Sequence, residues 1–220
     1  MFIWFKKIFF KNPPKVQSFK EGSSIERTST TENDELYCLE QLSHSDHTYW
    51  KFCQSEKGRS EECHFAEYEV GKITIAKDVD KQLSFVEDNN VAMCYMYGDI
   101  LVKLSFDGSN PLFNEIKDCP VRYIGCGLGE YETEKLLPEK LYPLNRVESI
   151  RKIFELTTQK RDLFAIFCGN THNLSYYLNS YGFFETYRLL ECLTQEFEKI
   201  VWLEFEVIKE TLLKMIDEFE

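Results

Sequence analysis

The sequence is poor in the residues that do chemistry and in those that break helices. Its 220 residues include four histidines, six prolines and ten glycines. No proline follows Pro143 and no glycine follows Gly182, so nothing interrupts a helix after that point. No apolar run approaches the ~20 residues that a membrane-spanning helix needs. No Walker loop, Ser-His-Asp pattern or pair of catalytic carboxylates stands out. Basic residues are also scarce, 26 against 37 acids, for a net charge of −11. Setting aside the five lysines of the first 20 residues leaves −16 on the rest. Nucleic acid repels a body this acidic, so the composition argues against such a ligand and suits a basic protein partner.

Eight cysteines are present, at 38, 53, 63, 94, 119, 126, 168 and 192. No cleavable secretory signal is expected, because Lys6 and Lys7 interrupt the apolar run of the opening MFIWFKKIFFK. The thiols therefore read as reduced, in a cytoplasmic protein. Residues 1–11 have two readings. Their aromatics dock on their own domain, or they make weak contact with a membrane surface, which would place the protein peripherally at a membrane. Residues 17–33 are polar and read as a linker, so 1–33 is expected to be an appendage and 34–220 a single domain.

What is abundant is aromatic and apolar residues in helical register at the C-terminal end. Leu190, Leu193, Phe197, Val201, Phe205, Ile208, Leu212, Met215 and Phe219 recur in steps of three and four, the period of one helix face. Gly182 is placed to end a helix over 172–181 in a left-handed C-cap. A helix from 183 to 220 would extend on the order of 55 Å, so it breaks near its middle or reaches beyond the domain. A second apolar edge (Leu189, Ile200, Leu203, Val207) is expected to widen its buried face in the first half only, leaving the second half a narrower seam. Glu191, Glu196, Glu198, Glu204, Glu206, Glu210, Asp217 and Glu218 make the opposite face acidic.

Upstream, 35–44 reads as a short helix, and 46–55 has no clear assignment. Strand-length runs at 70–76, 82–87, 91–97 and 100–106 lie between turn clusters and predict an antiparallel meander. A further strand is read at 120–124 and a helix at 144–158. The apolar run Asp162-Leu-Phe-Ala-Ile-Phe-Cys168 predicts a central strand. The expected fold class is α+β: an antiparallel meander packed against C-terminal helices, the last long and amphipathic.

Three places carry possible chemistry besides the acidic face. Arg122-Tyr-Ile-Gly125-Cys-Gly127 can turn backbone N–H groups toward a phosphate if a helix follows at once. The fragment resembles the Arg/Gln-x-x-Gly-x-Gly element of GNAT acyltransferases. Residues 173–183 are similar to that family's Asn…Tyr-x-x-x-Gly-Phe segment. The resemblance covers about a quarter of the chain. It implies that Arg122, Gly125 and Gly127 hold the pyrophosphate of coenzyme A and that Tyr177 is a general acid. Against the family pattern stand the acids after Gly129 and the prolines at 138 and 143. Cys168, beside His172, is a candidate nucleophile if it lies at a strand end facing a helix N-terminus. Cys38, His44, His47, Cys53, Cys63 and His64 offer thiol and imidazole ligands for a structural zinc, at spacings that match none of the usual pairs.

The leading expectation is a non-enzymatic, acidic interaction protein, of the immunity or antitoxin type, with Glu196, Glu204 and Glu210 as partner contacts. The alternative is a divergent acyl-CoA-dependent acyltransferase.

Overall fold

Nine strands and seven α-helices are formed by residues 36–54, 67–76, 82–124, 130–168 and 173–219, the part of the chain that the computed structural model describes. All of these residues belong to the unit Asp34–Glu220. The strands are β1 Leu36–Cys38, β2 Tyr49–Cys53, β3 Thr74–Ile75, β4 Leu83–Glu87, β5 Ile100–Leu104, β6 Pro120–Tyr123, β7 Glu130–Thr133, β8 Lys135–Leu136 and β9 Pro138–Pro143. The helices are α1 Leu39–Ser43, α2 Pro111–Asn114, α3 Val147–Leu156, α4 Lys160–Cys168, α5 Leu174–Ser180, α6 Phe184–Ile200 and α7 Phe205–Asp217. The class is α+β, with the helices gathered toward the C-terminal end.

Seven strands make one antiparallel sheet in the order β1-β6-β7-β4-β2-β5-β9; β3 and β8 pair separately. The order interleaves distant stretches, so β4 and β5 are each hydrogen-bonded to β2 and not to one another. The 91–97 stretch, expected as a strand between them, is two 3-10 turns, Asp88–Met93 and Tyr95–Tyr97. Asp88 is the reason the strand stops. Its Oδ1 accepts the Asn89 N–H at 2.9 Å, bending the chain at once. Gly98 follows, so close to β2 that a Cβ there would lie 2.1 Å from the Cys53 carbonyl oxygen. β9 is an edge strand with Pro138 and Pro143 at its ends, where proline is tolerated.

Strand alternation sends side chains to two cores. On one face Tyr49, Leu83, Phe85, Val102, Leu104 and Val121 pack under α1, α2 and the β3–β8 pair, with Phe113 and Ile116 buried among them. Tyr49 is edge-on to Phe85, with ring centroids 5.7 Å apart. On the other face lie Trp50, Phe52, Val86 and Leu101. There the 3-10 turn at 88–93 packs on β2 and β4, and α3 and α4 pack on that turn. Helices α6 and α7 lie against α3. Burying a side chain such as Leu101 or Phe154 contributes ~1.5–3 kcal/mol each, and both are fully buried.

Residues 162–168 are helical, not the central strand expected. Asp162, Leu163, Ile166 and Phe167 are buried at helical spacing, while Cys168 is exposed. The start signal is Asp162 itself. Its Oδ2 accepts the Thr158 and Gln159 N–H groups at 2.9 Å each, satisfying donors that the first turn leaves open. An apolar run of six is ambiguous between strand and buried helix, and this cap decides it.

The C-terminal stripe breaks in the middle. α6 stops at Ile200, the chain turns through Val201–Leu203, and α7 starts after Glu204 in extended backbone. Leu190, Leu193, Phe197, Val201, Ile208 and Leu212 are buried. Gly182, with φ +73°, forms the expected C-cap: its N–H bonds the Asn179 carbonyl at 3.0 Å and the Phe183 N–H bonds the Leu178 carbonyl at 2.9 Å. Among the described residues no helix is long and apolar enough to cross a membrane.

Candidate functional site

The α6–α7 elbow presents the largest contrast between what a side chain wants and where it is. Trp202 is 70% exposed, Leu203 41% and Val207 47%. Leu203 and Val207 therefore do not widen the buried face, as expected from their spacing; the break rotates them outward. The elbow is fixed from behind by two lysines. Lys160 of α4 donates to the Leu203 carbonyl at 2.9 Å. Lys209 of α7 donates to the Glu155 and Thr157 carbonyls at 2.8 and 2.7 Å, capping the C-terminal end of α3.

Carboxylates flank this apolar point in sequence on both helices. Glu198, Glu204, Glu206 and Glu210 are all exposed, and none has an ion-pair partner among the described residues. The three acids chosen from sequence are divided by the break. Glu196 lies on α6 with Lys199 at 2.8 Å, Glu204 is the N-cap of α7, and Glu210 lines a shallow groove on α7 with Glu206, Lys209, Leu213, Lys214 and Asp217. Asp217 is held by Arg151 at 2.6 Å. Sequence spacing pointed to the acids but missed Trp202, because the stripe and the break compete for the same residues.

The residues drawn from the acyltransferase resemblance are only partly described. Gly125 and Gly127 lie outside the described residues. Their flanks are two paired strands, β6 and β7, with the Ile124 N–H bonded to the Glu130 carbonyl at 2.9 Å. The chain beyond them runs as β7, β8 and β9, so no helix N-terminus follows to face a phosphate. Arg122 is exposed on β6, paired in register with Glu132. Tyr177 is on α5, edge-on to Tyr95 with centroids 5.9 Å apart. The turn that carries Tyr95 packs on β2, three strands from β6, a lateral offset of roughly 14 Å.

Cys168 ends a helix instead of a strand. Partial burial, then the charge of Glu198, pushes its thiol above the ordinary value, the wrong direction for a nucleophile. His172 is outside the described residues. Of the thiols and imidazoles considered for zinc, Cys63 and His64 are outside the described residues as well. Among the described residues no group of three or more His, Cys, Asp or Glu side chains is placed to hold a metal ion. Cys53 is pushed up to about 12, chiefly by burial.

A polar cluster that spacing did not reveal ties β2 to β4. His47 Nδ1 is 3.0 Å from Asp88 Oδ1, and its Nε2 is 3.8 Å from Glu87 Oε2. Tyr131 donates to Glu87 Oε1 at 2.6 Å. The hydrogen bond to Asp88 raises the His47 pKa against the opposing effect of burial. Asp88 also accepts the Thr48 and Asn89 N–H groups, so its oxygens serve the backbone. Nearby, the β2–β4 ladder pairs Tyr49 with Glu87 and Trp50 with Val86. Beyond that ladder the Lys51 ammonium donates to the Ser84 carbonyl at 2.6 Å. Burial holds the Lys51 pKa below the ordinary lysine value.

Compared with known proteins, the chain matches no family model, no curated protein and no solved structure.

Proposed function

We propose that the chain is a non-enzymatic interaction module that binds a basic protein partner and regulates or neutralises it, as an immunity or antitoxin-type inhibitor does. The observation that carries this reading is the set of exposed carboxylates, without ion-pair partners among the described residues, that flank the exposed Trp202 in sequence on α6 and α7. Charge of one sign steers a partner of the other sign and selects against like-charged proteins. The net charge adds to that field over the rest of the body. Binding in the cytoplasm, with residues 1–11 available for weak membrane-surface contact, completes the reading.

The test is charge reversal at Glu196, Glu204 and Glu210 in the full chain, with affinity for the partner measured at low and at moderate salt. The reading expects a loss of about tenfold or more at low salt, shrinking as salt rises. Unchanged affinity at both salts contradicts it. Acyl transfer from coenzyme A has less support, since Arg122 and Tyr177 stand on well-separated elements. It would require coenzyme A to raise the melting temperature of the protein.

A further inference from the structure

We infer that the α6–α7 elbow is the docking point, and that its occupant is a segment of the partner protein that carries an apolar anchor among lysines or arginines. This rests on the reading that the partner is basic and adds where it binds and what it must present. Trp202 is 70% exposed while Val201, its neighbour in the chain, is 7% exposed. The turn thus inserts one side chain into the core and projects the next into solvent. Tryptophan gives a large contact area for few rotatable bonds, which is why it dominates interface energetics. Leu203 and Val207 extend the apolar surface beside it.

The surroundings select the occupant. Glu198, Glu204, Glu206 and Glu210 are exposed on both sides of Trp202 in the chain, and they outnumber Lys160 and Lys209, the cations that hold the elbow. A second copy of this chain would bring the same carboxylates against them, at a cost that low salt magnifies. An anionic membrane surface is repelled in the same way. A segment with cations around an apolar residue fits both features. The backbone bonds from Lys160 and Lys209 hold the elbow in place, so little ordering remains when a partner docks. Phe184 is 68% exposed but sits at the opposite end of α6, roughly 25 Å away.

The experiment uses the full chain and a labelled, short helical peptide of leucine and lysine, read by fluorescence anisotropy at low and moderate salt. Companions are a polylysine peptide of equal length, a leucine–glutamate peptide, and anionic phospholipid vesicles. The proposal expects the leucine–lysine peptide to bind more tightly than polylysine, with no binding of the acidic peptide or the vesicles through the elbow. Trp202→Ala should weaken it about 30-fold. Combined Glu204→Lys, Glu206→Lys and Glu210→Lys should weaken it about tenfold at low salt, and Phe184→Ala should leave it unchanged. All these side chains are exposed, and circular dichroism verifies that the variants stay folded. If the peptide binds Trp202→Ala as well as the native chain, the elbow is overturned while the basic-partner reading stands. If the native chain binds neither cationic peptide at low salt, both fall. Equal affinity for polylysine, vesicle binding lost in Trp202→Ala, or a dimer that Trp202→Ala dissociates would each overturn the stated occupant.

Discussion

At the scale of single residues, two glycines are required for different reasons, and the difference is measurable. Gly182 has open space where a Cβ would go but lies at φ +73°. Gly182→Ala should therefore cost only the left-handed backbone penalty, about 1 kcal/mol in a denaturant melt. Gly98→Ala should cost clearly more, because its Cβ would fall 2.1 Å from the backbone oxygen of Cys53 in a central strand. His47 and Asp88 give the stability a pH dependence at both ends. The folded His47 pKa is raised, first by the Asp88 bond, so its contribution is full below its ordinary 6.5 and is lost as pH rises through the raised value. For Asp88, burial acts upward, but the bonds from His47, Thr48 and Asn89 outweigh it and lower the pKa. Its contribution is full above 3.8 and is lost as pH falls through the lowered value. Chemical denaturation across pH should show both limbs in the native chain, and His47→Gln should flatten the alkaline one. Cys168, with its thiol raised, should alkylate more slowly than a free cysteine at neutral pH, and a faster rate would revive the nucleophile.

At the scale of elements, Lys209 joins α7 to the end of α3 through two carbonyls. Lys209→Met keeps the stem and removes those bonds. It should cost about 1–2 kcal/mol and raise hydrogen exchange at the end of α3 and at the elbow. The periodicity of the last helices was readable because their stripe repeats for several turns and Gly182 marks a stop. The break at Val201–Leu203 was readable only as a necessity of length. Of the elements that differ from their expected form, three have a clear physical reason. In 162–168 the apolar run hides its period, and the deciding group is one carboxylate two residues into the helix. In 91–97 the strand-like composition is overridden by the Asp88 turn. The strand signal of β2 is weakened by Lys51 within it, whose ammonium donates to the Ser84 carbonyl of β4 and lies over the Tyr68 ring. The strand order was beyond reach for a simpler reason: β1, β2 and β9 come from stretches far from the strands they join, and local pattern carries no information about such pairing.

For the whole molecule, the charge of −16 beyond the first 20 residues is the widest-ranging property, and it was legible from the sequence alone. What the fold adds is where that charge meets exposed apolar surface. The acids of α6 and α7 looked like one face of one helix. The break instead sets them on two helices, before and after the exposed Trp202 in the chain. A field of this kind accelerates association and loses its effect as salt screens it, over a Debye length of about 10 Å at moderate ionic strength. The most direct measurement is native mass spectrometry of the protein isolated from its own cells, repeated over increasing salt. The account predicts a stoichiometric complex with a basic protein that dissociates as salt rises, and that Trp202→Ala no longer retains. A bare monomer at the lowest salt, or a retained coenzyme A in place of a protein, would contradict it.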